Sequence, residues 1–108
     1  SIGFNFLDGN TNVNDENGHG THVAGIAGAQ TNNSIGIAGV ADVKLMILKF
    51  MGSDGNGPLS GALNALDYAV RMGAAVSSHS YGGNVPSRIF ENAIRNAANA
   101  GHDCQYDV

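Results

Sequence analysis

The chain has 108 residues, 43% of them hydrophobic, which fits one small domain or part of a larger one and excludes a disordered chain. A net charge of −4 offers nothing to nucleic acid, and no apolar run approaches the roughly 20 residues of a membrane span. The 16 glycines call for tight turns or close backbone approaches, and the one cysteine, Cys104, has no internal disulfide partner.

In chain order, Gly3 to Leu7 reads as a short strand and Asp8 to Gly18 as a polar loop of Asp, Asn, Thr and Gly. From His19 to Ala29, small and apolar residues suit a tightly packed helix. Gln30 to Gly39 is rich in turn residues, and Val43 to Phe50 is a nearly continuous apolar run, as in a buried strand of a parallel sheet. Gly52 to Pro58 is a loop. Ser60 can cap a helix to about Met72, with Leu59, Leu63, Leu66 and Val70 on one face and Gly73 as its stop. Ala74 to Ser80 reads as another strand and Tyr81 to Pro86 as a loop. Ser87 opens a further helix with Ile89, Phe90, Ala93, Ile94 and Ala97 inward and Gly101 at its end. This alternation implies an α/β fold with crossovers and a parallel sheet. The residues from His102 to Val108 are polar and lack strand alternation, where a buried strand should follow. No signal peptide precedes Ser1, so processing or a partial sequence is expected.

The segment "NGHGTHVAG", Asn17 to Gly25, places two histidines three apart at the start of a helix. One reading is a metal site, since such histidines share a helix face. It needs further ligands, and Asp15, His79 and His102 stand at no fixed spacing. A calcium loop of the EF-hand kind over Asp8 to His19 fails. Val13 stands where glycine is required, and His19 where glutamate is. A second reading is a capped helix with a packed histidine. The third is general-base catalysis: an imidazole titrates near neutral pH, and Gly18 and Gly20 leave room around His19 for a nucleophile and a substrate chain.

"NGHGTHVAGIAGA" resembles the histidine motif of the subtilisin-like serine proteases, the subtilases. "TNNSIGIAGVADVKLMILKF" is similar to the loop and strand that follow it in that family, "GSDGNGPLSGALNALDYAVRMGA" to the next loop and helix, and "SYGG" to its substrate-binding segment. The resemblance covers residues 1–101, read as a partial subtilase catalytic domain. It implies a fragment of a subtilisin-like three-layer fold, a mainly parallel sheet flanked by helices. It implies a serine endopeptidase, secreted or in the secretory route, that cuts polypeptide substrates and is made with a propeptide. His19 is then the catalytic base of an Asp-His-Ser triad, and His22 a structural residue buried against the sheet.

The same resemblance implies two backbone edges that hold an extended peptide as an added strand: Gly55, Asn56 and Gly57, and Ser80, Tyr81, Gly82 and Gly83, with Met51 lining a pocket between them. It also implies a structural calcium loop, with main-chain oxygens of Thr31, Ile35 and Ile37 and the side-chain oxygen of Asn33. Those are four ligands, where calcium takes 6–8.

The chain departs from the family pattern in several places. No apolar strand ending in Asp-Ser/Thr-Gly precedes His19, and no Gly-Thr-Ser-Met-Ala motif and no Ala-Ala-Gly-Asn turn is present. Ser77, Ser78 and His79 replace the usual strand residues, and a buried serine without a partner costs roughly 1–3 kcal/mol. The residues after His102 form an atypical tail, as a change of reading frame would produce. The alternative function is therefore a catalytically dead, subtilase-like peptide-binding module.

Overall fold

Four short strands, of which only Met46–Lys49 is a mainly apolar run, alternate with helices of small or amphipathic sequence. The structure, a computed structural model, describes residues 2–81 and 88–106. Its elements are β1 (Ile2–Asn5), α1 (His19–Gly28), β2 (Met46–Lys49), α2 (Leu59–Arg71), β3 (Val76–His79), α3 (Arg88–Asn99) and β4 (Asp103–Tyr106). They fall into two units, Ser1–Gly57 and Pro58–Val108. The expected α/β class holds, with parallel strands joined through helices.

In the first unit β1 and β2 pair in parallel, from Ile2 opposite Met46 to Asn5 opposite Lys49. A side chain at Gly3 would collide with the Ile47 carbonyl oxygen, so only glycine fits there. The strand ends at Asn5, two residues before the expected Leu7, because Asn5 folds the chain back on itself. Its Oδ1 accepts the N–H groups of Leu7 at 2.9 Å and Asp8 at 3.0 Å. Its Nδ2 donates to the Asn12 carbonyl at 2.8 Å and to Asp8 Oδ2 at 3.1 Å. β2 is shorter than the run Val43 to Phe50 and half-buried rather than buried.

No residue of α1 is buried. The chain after α1 runs back along its C-terminal end, where Val40 and Ala41 donate N–H groups to the carbonyls of Ile26 and Ala27 at 3.0 and 3.1 Å, satisfying groups that a helix end leaves open. His22 is exposed, which corrects its expected burial against the sheet. The half-buried residues of α1 are Val23, Ala24, Gly25 and Gly28, and a Cβ on Gly28 would press on Val43 at 3.1 Å. His22 lies off that face.

In the second unit α2 begins at Leu59 rather than at a Ser60 cap. Pro58 stands before it with an extended backbone, and its carbonyl accepts the N–H groups of Gly61 at 3.1 Å and Ala62 at 3.3 Å. Ala62, Ala65, Leu66 and Ala69 form the buried stripe, with Leu63 and Val70 half-buried and Leu59 exposed. Gly73, at φ 80°, ends this element as expected, with its N–H on the Val70 carbonyl at 3.1 Å. The expected start of α3 at Ser87 lies outside the described residues. Ala97 is its buried residue and Phe90, Ala93 and Ile94 are half-buried, but Ile89 is 64% exposed and does not face inward.

The polar tail is a strand after all. β4 pairs in parallel with β3, from Val76 opposite Asp103 to His79 opposite Tyr106. Main-chain bonds make the pair, and Asp103 donates its N–H to the Ala75 carbonyl at 2.9 Å. The alternation is also present: Asp103 and Gln105 are exposed and Cys104 between them is half-buried.

Four alanines and Leu66 are the buried hydrophobic residues among those described, all in the second unit. Leu66 is the one large side chain of that set, so Leu66→Ala should destabilise the second unit by about 2–4 kcal/mol. The check is urea unfolding followed by the amide signals of α2 and α3.

Candidate functional site

The loop from Asn5 to Gly18 delivers His19, and polar side chains fasten it along its length. Asn5 holds the Asn12 carbonyl at 2.8 Å. Lys49, at the end of β2, donates from Nζ to the Asn14 carbonyl at 2.7 Å and to Glu16 Oε2 at 2.6 Å. That contact, chiefly the hydrogen bond from Lys49, holds the Glu16 carboxyl below the usual carboxylate range. Asn17 donates from Nδ2 to the Ser53 carbonyl at 2.9 Å.

Asp15 then starts the helix. Its Oδ2 accepts the Thr21 hydroxyl at 2.6 Å and the Thr21 N–H at 2.8 Å, and its Oδ1 accepts the N–H groups of Gly18 at 2.9 Å and Asn17 at 3.0 Å. The Thr21 hydroxyl first, and these amides after it, hold the Asp15 carboxyl far below the usual carboxylate range. Gly18 occupies the cap position at φ 98°, a left-handed conformation that favours glycine. His19 follows as the first residue of α1, with its ring exposed. No carboxylate engages that ring among the described residues: Asp8 is turned to Asn5 and Asp15 to Thr21.

The loop at residues 52–57 is tied next to this segment by the Asn17–Ser53 bond, so the first unit brings together His19 and the expected edge of Gly55, Asn56 and Gly57. The loop closes on itself. Gly52 donates to the Asn56 carbonyl at 2.8 Å, Gly55, at φ 79°, donates to the Gly52 carbonyl at 3.0 Å, and Asn56 donates to Asp54 Oδ1 at 3.0 Å. The Asn56 amide is the main influence that holds the Asp54 carboxyl below its usual range. Met51 is half-buried, and a Cβ on Gly57 would touch its side chain at 3.0 Å.

In the second unit Ser80 and Tyr81 are half-buried, while Gly82 and Gly83 lie outside the described residues. The Tyr81 side chain is engaged inside its unit, with its hydroxyl 2.8 Å from His79 Nδ1 and its ring edge-on to Phe90. Burial first, with a smaller effect of Cys104, pushes the Tyr81 phenol up to about 12. Ser77 finds the partners that a serine on this strand needs, with Oγ 2.6 Å from His79 Nε2 and 2.7 Å from His102 Nε2. Ser78 is exposed and carries no such requirement.

At residues 31–37 the backbone is not an extended segment. Asn32, Ser34 and Gly36 all have φ between 60° and 65°. Asn33 Oδ1 accepts the Ile35 N–H at 3.1 Å, and the side chains of Ile35 and Ile37 are exposed. Neutral oxygens are the right donor type for calcium, but the four expected ligands fall short of its coordination number, so these residues alone do not complete a site. The transition-metal reading of the histidines fails, since no three His, Cys, Asp or Glu side chains converge among the described residues.

The family model described as the subtilase family, peptidase S8, matches residues 3–104. The chain belongs to the subtilase family. It is 41% identical over 100 residues to a thermophilic serine proteinase of Bacillus sp. (strain AK1), covering 92% of this chain and 25% of that one. It is 40% identical over 100 residues to thermitase of Thermoactinomyces vulgaris, covering 92% of this chain and 36% of that one. The solved structure of a cold adapted subtilisin-like serine proteinase superposes with a TM-score of 0.82 at 28% identity, over 97% of this chain and 37% of that one. This subtilase chain therefore spans between a quarter and little more than a third of the length of these relatives.

The supporting residues of the subtilase histidine, Asn5, Asp15, Asn17 and Lys49, carry no motif of their own. The one signal for them is the density of Asp and Asn before "GHGTH", residue types that bond nearby amides. Because its folded pKa is depressed, the stabilising effect of Asp15 is present above about pH 4 and lost only as the pH falls through that lower value. In hydrogen exchange, the Thr21 amide should stay protected down to about pH 3 and lose protection at every pH in Asp15→Ala.

Proposed function

We propose that this chain is the histidine-bearing part of a secreted, subtilisin-like serine endopeptidase, with His19 as its general base. The observation that supports this most is the exposed His19 ring at the start of α1, in a unit that also ties down the loop at residues 52–57. The reaction needs an imidazole that takes the proton of a serine hydroxyl as that oxygen attacks a peptide carbonyl, and returns it to the leaving amine. His19 on a rigid helix end is suited to that shuttle. The serine and the aspartate that orients the ring would come from outside these residues, since the chain contains neither motif.

The polypeptide substrate would pair with Gly55 to Gly57, beside Met51, and the family resemblance assigns it Ser80 to Gly83 as a further backbone edge. Glycines allow its backbone to approach. Thr31, Asn33, Ile35 and Ile37 would supply part of a structural calcium site that further segments complete. A propeptide would accompany the full-length enzyme. In the described residues no helix is long and apolar enough to cross a membrane.

A second reading, a catalytically dead peptide-binding form, is favoured by one observation: Asp103–Tyr106, in the atypical tail, pair as a strand with β3. Both readings expect the purified chain to show no peptide hydrolysis that depends on His19, so the parent protein separates them. In a parent protein carrying the aspartate and serine motifs, His19→Ala should lower kcat by about 10⁶. A transcript that encodes neither motif on either side, and that stops after Val108 in the same frame, would sink the protease reading and leave the binding module.

A further inference from the structure

The second unit buries two histidines, His79 at 6% and His102 at 2% exposure, that the proposed chemistry does not use. They meet at one hydroxyl, Ser77 Oγ, at 2.6 Å and 2.7 Å. The direction of every hydrogen bond here follows from a single backbone oxygen. His102 Nδ1 lies 2.6 Å from the Ala74 carbonyl, and a carbonyl only accepts, so Nδ1 carries the hydrogen. In a neutral ring Nε2 is then bare and accepts the hydroxyl hydrogen of Ser77. Ser77 has no second hydrogen, so it accepts from His79, whose Nε2 must carry one. His79 Nδ1 is then bare and accepts from the Tyr81 hydroxyl at 2.8 Å.

We propose that Tyr81, His79, Ser77 and His102 form an acid-labile latch, a one-way chain of hydrogen bonds that fastens β4 and its approach to β3 while both imidazoles are neutral. Its two ends are on different segments: Tyr81 follows β3, and His102 leads directly into β4, where Asp103 is bonded to Ala75 at 2.9 Å.

Protonation works against the chain at each ring. A proton on His79 puts a hydrogen on Nδ1, so Tyr81 can no longer donate there and its hydroxyl must turn to accept, which reverses that end of the chain. A proton on His102 makes both Nε2 atoms donors toward Ser77, whose own hydrogen is then left only the Cys104 sulfur, at 3.7 Å. Both rings charged would place two buried cations around one oxygen. Among the described residues no carboxylate is bonded to either ring. His79 meets Ser77 and Tyr81 on its own segment and the uncharged ring of Phe90 from α3, and across Ser77 stand His102 and Cys104. The charged residues of α3, Arg88, Glu91 and Arg95, are exposed, as is Asp103, which accepts from Gln105.

Burial first, and His102 second, push the His79 imidazole below its ordinary value. The folded chain therefore binds fewer protons than the unfolded one below about pH 6.5, and stability is lost as the pH falls from there.

The test has two arms on the full chain. Imidazole ¹⁵N spectra at about pH 8 should show the hydrogen on Nδ1 of His102 and on Nε2 of His79. Exchange protection of the Asp103 amide should be level above about pH 7 and fall below about pH 6.5, by up to tenfold per pH unit for each proton taken up on opening. His79→Gln keeps an amide donor toward Ser77 but cannot be charged, and should flatten that fall. Tyr81→Phe removes the donor to Nδ1, so protection should be lower already at about pH 8 and its fall below about pH 6.5 should be shallower. Swapped tautomers, a charged ring at about pH 8, protection that does not change down to about pH 5, or an equal slope in His79→Gln would each overturn the latch. If His79→Gln does not fold, the wild-type tautomers and Tyr81→Phe still decide it.

Discussion

A buried polar side chain must find partners within the fold, and this requirement organises both units. Three polar residues are buried among those described, Asn5, His79 and His102, and no buried side-chain nitrogen or oxygen lacks a partner there. An unpaired group of this kind would cost roughly 1–3 kcal/mol, a large fraction of the net stability of a small domain. In the first unit the requirement is stronger still, because no hydrophobic residue described there is fully buried. The bonds of Asn5 therefore set the end of β1 and the path of the loop, and burial of apolar surface only supports them. In the second unit the Ala74 carbonyl fixes one imidazole, and the remaining members of the cluster must follow.

The placement of His19 depends on this arrangement at one remove. A histidine that is to take a proton needs a fixed origin and a ring that is not already bonded. The fixed origin comes from Lys49, Asn17 and Asp15, each holding a different point of the preceding loop. The unbonded ring comes from the exposed first position of α1. The same residues that make the subtilase motif recognisable, Gly18 and Gly20, add no side chain that could cover it. The stabilising contacts are made to the loop before His19, and the residue itself stays exposed.

Much of this was legible in the sequence. The element order, the helix-ending Gly73 and the family follow from local composition and ordered motifs, because these depend on residues close together in the chain. Contacts made at a distance were not legible. The role of Asn5 needs Asn12 to return to it, and β4 needs β3 beside it. Asp103-Cys104-Gln105 was read as polar because its composition was weighed without a neighbouring strand, although its exposed and half-buried residues alternate as a strand requires. Periodicity places Ile89 inward, and the family resemblance places His22 so. Their exposure shows which helix face each unit covers, a property of packing that no single helix encodes. Ser60 lost the cap because Pro58, with no N–H of its own, already starts the turn through its carbonyl.

The parallel pairing of β4 with β3 has a consequence for how such a chain tolerates change. Ladder bonds join amides and carbonyls that every residue except proline possesses, so the position beside β3 accepts a segment with little regard to its side chains. What it does discriminate is the inward residue of each pair. Cys104 is small enough to sit half-covered beside Ser77, and His102 is able to give its ring hydrogen to Ala74. A stretch of sequence arriving there by insertion, splicing or a shifted frame would be retained or rejected on those two inward positions, leaving its outward residues free to drift. The strand slot thus behaves as a filter on alternate residues, and an unfamiliar ending can be absorbed into the sheet without any of the apolar signature that would normally announce it.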